Sequence, residues 1–235
     1  MAALRIVLLH SPLLGPLAWR QVAAELAGRG LAVETPAWPR LSNLAEGFYP
    51  ALVDSLTATL PGVSDPVLLV AHSGAGALIP ALVQRLAAPV AGVIFVDAIL
   101  PHPGQSWFDT APSEMRQKLR AGSQMGQLPA WDDWWPPGAL ARLVPDEDLR
   151  AALIAELEPL PLAYFEEAAP ADELAVPAAY LQLSSAYDVE GRLAGQYGWP
   201  LVRLPLHHLA MLTDPHPIAA TLESLALRLA EPAHG

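Results

Sequence analysis

A serine acts as a nucleophile when three conditions meet. The backbone must lift its hydroxyl clear of its neighbours, a base must take the proton, and N–H groups must receive the charge that develops. The segment Ala71-His72-Ser73-Gly74-Ala75-Gly76 has the form required. It directly follows the apolar run Val67-Leu68-Leu69-Val70 and directly precedes a helical stretch. A strand that turns sharply into a helix at Ser73 presents the hydroxyl above the sheet. Strand and helix then approach closely, so the residues two before and two after must be small, as Ala71 and Ala75 are. The serine oxygen falls at a helix N-terminus, where the Gly74 N–H and the helix dipole favour negative charge. A serine in this place could instead do no more than cap the helix. The strand on one side and the helix on the other favour the nucleophile.

The base has to be a histidine, and the acid a carboxylate. His207 and His208 follow a short strand candidate at Leu201 to Leu204. His72 belongs to the turn itself, where a side chain more often packs than reacts. His102 lies at the start of a long strand-free segment, and His216 opens the final helix in a solvated position. Two carboxylates end strand candidates: Asp97 after Val93-Ile94-Phe95-Val96, and Asp188 after the stretch from Tyr180 to Leu183. No metal-ligand spacing and no glycine-rich dinucleotide loop is present, so neither metal nor cofactor is expected. The absence of cysteine excludes disulfides, thiolate metal sites and a thiol nucleophile.

The elements that must hold these residues alternate. Short apolar runs at Ile6 to Leu9, Val67 to Val70 and Val93 to Val96 fit buried parallel strands. Weaker strand candidates are Leu31 to Glu34, Ala178 to Leu183 and Leu201 to Leu204. Between them Trp19, Val22, Ala23 and Leu26 recur at helical spacing, and Gly28 and Gly30 stop that helix. Helices are also expected over 44–60, 78–86 and 215–229, the last with Asp214 as N-cap and Pro215 at its first position. The pattern is that of an α/β domain with a doubly wound, mostly parallel sheet of about six strands. It breaks once. From Pro101 to Val176 there are helices (113–121, 146–157) and loops but no clear strand. The expected organisation is a core of residues 1–100 and 177–235 carrying an inserted helical cap over 101–176.

The chain has 235 residues and is 53% hydrophobic, enough for one domain with a sizeable core. A formal net charge of −11 makes nucleic acid or an anionic membrane an unexpected partner. No apolar stretch approaches the ~20 residues of a membrane span. Met1 to Leu9 does not read as a signal peptide, so a soluble, cytoplasmic protein is expected. Oligomeric state is not readable.

With these motifs in place the sequence resembles the α/β-hydrolase superfamily, over nearly the whole chain and most closely its esterase and hydroxynitrile-lyase branch. Leu8-Leu9-His10-Ser11-Pro12 is similar to the family's His-Gly oxyanion segment, and Gly15, Pro16 and Trp19 fit the helix that follows it. The resemblance implies the α/β-hydrolase fold, with the cap inserted after the fourth strand. Leu206-His207-His208-Leu209-Ala210-Met211 is similar to the family's Gly-Gly-His-Phe-x-Met segment, which selects His208 over His207. Asp188 matches the usual family acid, although some members carry the acid at the place of Asp97, and Asp188 is preferred. Ser73 separates the chain from dehalogenases and epoxide hydrolases, which use an aspartate there. One departure stands out. The family's second oxyanion donor is the N–H of the residue that aligns with Pro12, and proline has none. Either the Ser11 hydroxyl or the Leu13 N–H replaces it, or the hole has one donor only. Ser11, with Gly74, is the expected pair.

The function that follows is hydrolysis of an ester, thioester or lactone through an acyl-enzyme, with Ser73, His208 and Asp188 as triad. The alternatives are a lyase or an elimination or cyclisation enzyme of the same fold, or a non-catalytic ligand binder. The expected partner is a small to medium hydrophobic substrate. Trp131, Trp134 and Trp135 fall within five residues, and Trp107 lies near the start of the cap. Most of these rings pin the cap to the core. Trp107, Trp131 and Trp135, with His10, are the candidates for lining the pocket.

Overall fold

The computed structural model describes residues 4–60 and 65–230. The chain runs β1 (Arg5–Leu9), α1 (Leu17–Gly28), β2 (Ala32–Glu34), α2 (Phe48–Thr59), β3 (Val67–His72), α3 (Ile79–Arg85) and β4 (Val90–Val96). The intervening segment contains α4 (Trp107–Thr110), α5 (Ser113–Gly122), β5 (Gln127–Leu128), α6 (Ala139–Leu143), α7 (Glu147–Glu156), β6 (Leu160–Pro161) and α8 (Leu162–Glu166). It returns through β7 (Ala178–Gln182), α9 (Asp188–Gln196), β8 (Leu201–Arg203), α10 (Ala210–Thr213) and α11 (Pro215–Ala230).

Six strands form one parallel sheet in the order β2-β1-β3-β4-β7-β8. The innermost strand, β3, is buried at every residue, which is why its sequence is a continuous apolar run without alternation. Helix α1 buries Leu17, Ala18, Trp19, Val22 and Leu26, a stripe at helical spacing. It ends in a Schellman turn. Gly30 sits at φ +83°, its N–H meets Ala27 O at 2.9 Å, and Leu31 N–H meets Leu26 O at 3.2 Å.

The segment between β4 and β7 is helical, as its sequence suggests, with one exception. Gln127–Leu128 and Leu160–Pro161 pair as a two-residue antiparallel ribbon, too short to leave a periodic signal. Three of its glutamates close N-terminal ends in the core, where unpaired N–H groups and the helix dipole attract a carboxylate. Glu156 accepts from Leu17 N at the start of α1 (3.1 Å), and Glu158 from Leu41 N (2.7 Å) and from the Ser42 hydroxyl. Glu167 accepts from Phe48 N and Tyr49 N at the start of α2 (2.9 and 2.8 Å). A β-carbon at residue 15 would fall 2.0 Å from Glu156 Oε2, so Gly15 is required for that approach. Helix α11 begins at Pro215 with Asp214 just before it, as expected, and the Asp214 carboxylate accepts from the Thr213 hydroxyl at 2.7 Å.

Candidate active site

Ser73 stands between β3 and a tight 3₁₀ turn (Ser73–Leu78) that leads into α3. Its φ is +54°, a left-handed backbone rarely held by a residue with a β-carbon. Such local strain persists only where the surroundings impose it. Ala71 and Ala75 are fully buried, as the close strand-helix approach demands. Gly76 is more constrained still, since a β-carbon there would lie 1.9 Å from the carbonyl oxygen of Ile99.

Nε2 of His208 lies 3.2 Å from Ser73 Oγ, and Nδ1 lies 2.9 Å from Asp97 Oδ2. Asp97 is fully buried at the end of β4, at φ +42°. Its carboxylate is fully engaged. Oδ1 accepts from Leu183 N and Ser184 N (2.8 and 2.9 Å), and Oδ2 from the Ser184 hydroxyl (2.6 Å) as well as from His208. Both carboxylate oxygens accept from these donors, so His208 carries its proton on Nδ1 and turns a bare Nε2 to Ser73.

The expected acid, Asp188, is therefore corrected to Asp97 as the partner of His208. After β7 the chain makes a short 3₁₀ turn (Ser185–Tyr187) that carries Asp188 past the site and onto the first position of α9. There it is exposed and accepts from Gln182 Nε2. The turn delivers Tyr187 instead. Its hydroxyl lies 3.2 Å from Ser73 Oγ, and its ring stacks on the His208 ring at 5.0 Å and 12°. Sequence reasoning did not single out Tyr187. Its one signal is its place, a polar aromatic just beyond the end of β7.

The other histidines separate by role. His72 is fully buried, 4.5 Å from the His208 ring, and its Nε2–H donates to the His208 carbonyl at 3.0 Å. Burial and the neighbouring His208 hold its pKa well below the usual range. His207 turns away. Its Nδ1 accepts from Leu209 N, and its Nε2–H donates to the Thr213 hydroxyl at 3.0 Å. His102 bonds Gln105 O (2.8 Å) at the head of the inserted segment, and His216 is exposed beside Glu25 and Arg29.

His10 was expected to touch substrate. It is buried at 2% exposure instead, with Nδ1–H on the Ser11 carbonyl (2.8 Å) and its ring edge-on to Trp38. Burial pulls its pKa down to about 4. It supports the loop. Ser11 itself is buried, and its Oγ is 3.3 Å from the point where a β-carbon on Gly74 would sit. Leu13 N donates to that Oγ at 3.3 Å. Of the two substitutes for the missing Pro12 N–H, the Leu13 amide is thus already directed at Ser11, while the Ser11 hydroxyl hydrogen is free to point elsewhere.

The tryptophans divide in the same way. Trp131 faces His208, with ring centroids 6.4 Å apart. Trp135, 38% exposed, backs Trp131 edge-on from outside. Trp107 stands in a cluster with Phe108 and Phe165, which Trp134 joins through Phe165. Trp107 and Trp135 are therefore corrected from pocket lining to packing. Among the described residues no group of His, Asp and Glu side chains is arranged to hold a metal ion. No described helix is long and apolar enough to cross a membrane.

A six-stranded parallel sheet, with a serine on the strained turn after its central strand and a histidine from beyond its last strand, defines the hydrolase type of α/β protein. The chain belongs to the alpha/beta hydrolase family, whose model matches residues 6–221. No curated protein matches it. Several solved structures share its fold. An extracellular alpha/beta-hydrolase from a Paenibacillus species, described as sharing structural and functional homology with tobacco salicylic acid binding protein 2, superposes with a TM-score of 0.72 at 21% identity, covering 97% of this chain and all of that one. A pyrethroid hydrolase from Sphingobium faniae JZ-2 gives 0.72 at 20% identity over 99% of this chain and 100% of its own. Polyneuridine aldehyde esterase gives 0.70 at 17% identity over 95% and 99%.

Proposed function

We propose that this protein is a cofactor-independent serine hydrolase that cleaves an ester, thioester or lactone of a small to medium hydrophobic substrate. The observation that carries the reading is the unbroken chain of contacts from Ser73 Oγ through His208 to the buried Asp97. Ser73 attacks the carbonyl carbon while Nε2 takes its proton. Asp97 holds the imidazole in the tautomer that can do this and stabilises its cation. The Gly74 N–H and the Ser11 hydroxyl receive the oxyanion. His208 returns the proton to the leaving oxygen, and water clears the acyl-enzyme by the same steps. The aromatic faces of Trp131 and Tyr187 beside His208 favour an apolar substrate over a polar one. The esterase and hydrolase neighbours agree with this class of reaction.

A second reading rests on Pro12. A site with a single backbone oxyanion donor suits a lyase or an elimination or cyclisation, in which less charge collects on a carbonyl oxygen. Labelling decides between a working nucleophile and a binder. A fluorophosphonate should modify the wild-type protein once, at Ser73, and leave Ser73→Ala unmodified. Intact mass after mixing with an activated ester should show the acyl-enzyme. A protein that reacts with neither reagent is not a serine hydrolase.

A further inference from the structure

Ser73 Oγ has two hydrogen-bonding neighbours at equal distance, His208 Nε2 and the Tyr187 hydroxyl, each at 3.2 Å. The direction of each bond follows from the acid. Asp97 accepts a hydrogen bond from Nδ1–H, so Nε2 is bare and accepts from the serine. A serine hydroxyl has one hydrogen to give. With that hydrogen on Nε2, the bond to Tyr187 runs the other way, and the phenol donates to Oγ. Burial, together with the charges of Asp97 and Glu190, holds the phenol well above its usual range, so it remains a neutral donor at working pH.

We propose that Tyr187 is a further catalytic residue of this site, whose hydroxyl holds Ser73 Oγ at rest and passes its hydrogen bond to the leaving-group oxygen during acyl transfer. The inference rests on the serine-hydrolase reading. When Oγ bonds to the carbonyl carbon it becomes an ester-like oxygen and a poor acceptor, which frees the phenol hydrogen. The leaving oxygen must come within reach of Nε2 to be protonated. The Tyr187 ring lies parallel to the imidazole and its hydroxyl reaches the same Oγ, so an oxygen that meets Nε2 also meets the phenol. No proton is lost from Tyr187. His208 carries the serine proton to the leaving oxygen, the carbon–oxygen bond breaks, and the phenol contributes a hydrogen bond to the charge that builds there. In deacylation the attacking water occupies the same place and takes the same bond.

Tyr187→Phe removes the hydroxyl and keeps the ring on His208. A methyl ester, with a basic leaving group, and a p-nitrophenyl ester of the same short acid separate the roles. Removing one transition-state donor is expected to lower kcat/KM for the methyl ester by at least about tenfold, carried by kcat with KM little changed. The p-nitrophenyl ester, whose leaving group needs no such help, should lose less than about threefold. The melting temperature should stay at the wild-type value. Equal losses on both esters, or none, overturn the proposal while leaving the triad in place. If the wild-type protein hydrolyses neither ester and Ser73 resists the fluorophosphonate, the hydrolase reading fails and this one with it.

Discussion

Asp97 and His208 are 111 residues apart in the chain, and a 2.9 Å contact joins Oδ2 of the one to Nδ1 of the other. Asp97 therefore comes from the strand next to that of Ser73, and the turn after β7 supplies its carboxylate with donors through Leu183 and Ser184.

Exchanging each carboxylate for its amide separates the two aspartates. Asp97→Asn should lower kcat on the order of 10⁴-fold, because an amide neither stabilises the imidazolium nor selects the right tautomer. Asp188→Asn, on an exposed helix start, should change it less than about twofold, the scale of a surface substitution. Steady-state kinetics on one ester, with circular dichroism to confirm folding, decides the matter. A large loss at Asp188 would reverse the assignment.

Ser11→Ala should cost at least about tenfold in kcat, the scale of a missing oxyanion donor, with little change in melting temperature. Pro12→Ala restores an N–H and should raise ester hydrolysis or leave it unchanged. If Ser11→Ala were neutral and Pro12→Ala strongly activating, the hydroxyl would have no part in the hole, and the non-hydrolytic reading would gain.

Acid should destabilise the fold through its buried imidazoles. His10 stays neutral in the folded protein down to about 4, whereas in the unfolded chain it takes up a proton near 6.5. Between those values the unfolded state binds more protons, so stability falls as pH drops through that window, by about 3 kcal/mol from His10. His72 acts in the same direction. Urea melts at pH 7 and pH 4 should show the loss, and His10→Gln should flatten the slope. An unchanged slope in that variant would show that His10 does not contribute.

Glu167→Gln leaves one acceptor oxygen for two N–H groups at the start of α2. The expected cost is about 1 kcal/mol, or a few degrees in melting temperature. Limited proteolysis should cut the 101–176 segment sooner than in wild type. Equal cleavage rates would mean that this contact does not hold the segment down.

The sheet and the nucleophile turn are legible in the sequence because buried parallel strands leave unbroken apolar runs. A strand-to-helix turn on serine leaves small residues at fixed offsets. The acid is less legible. Asp97 and Asp188 both follow strand candidates, and the choice depends on how a three-residue turn rotates the chain after β7. The same turn hides Tyr187. The tryptophans resist sequence reading for a related reason: Trp131, Trp134 and Trp135 lie on a 3₁₀ turn and its exit, where no period says which ring faces inward.

Strands β3 and β4 are paired in register up to His72 and Val96, and the next residue of each is Ser73 and Asp97. Each therefore leaves the sheet from the end of one of two hydrogen-bonded neighbouring strands, so the ladder keeps their starting points together. Loop length does not enter into that. A family in which the acid rides on a loop must preserve that loop whenever it remodels the substrate side. Here the loop after β7 can lengthen, shorten or change its residues beyond Ser184 without moving Asp97 away from Ser73. Directed libraries over 131–135 and, with Tyr187 kept, over 185–190 should therefore yield folded proteins of altered selectivity at a high rate.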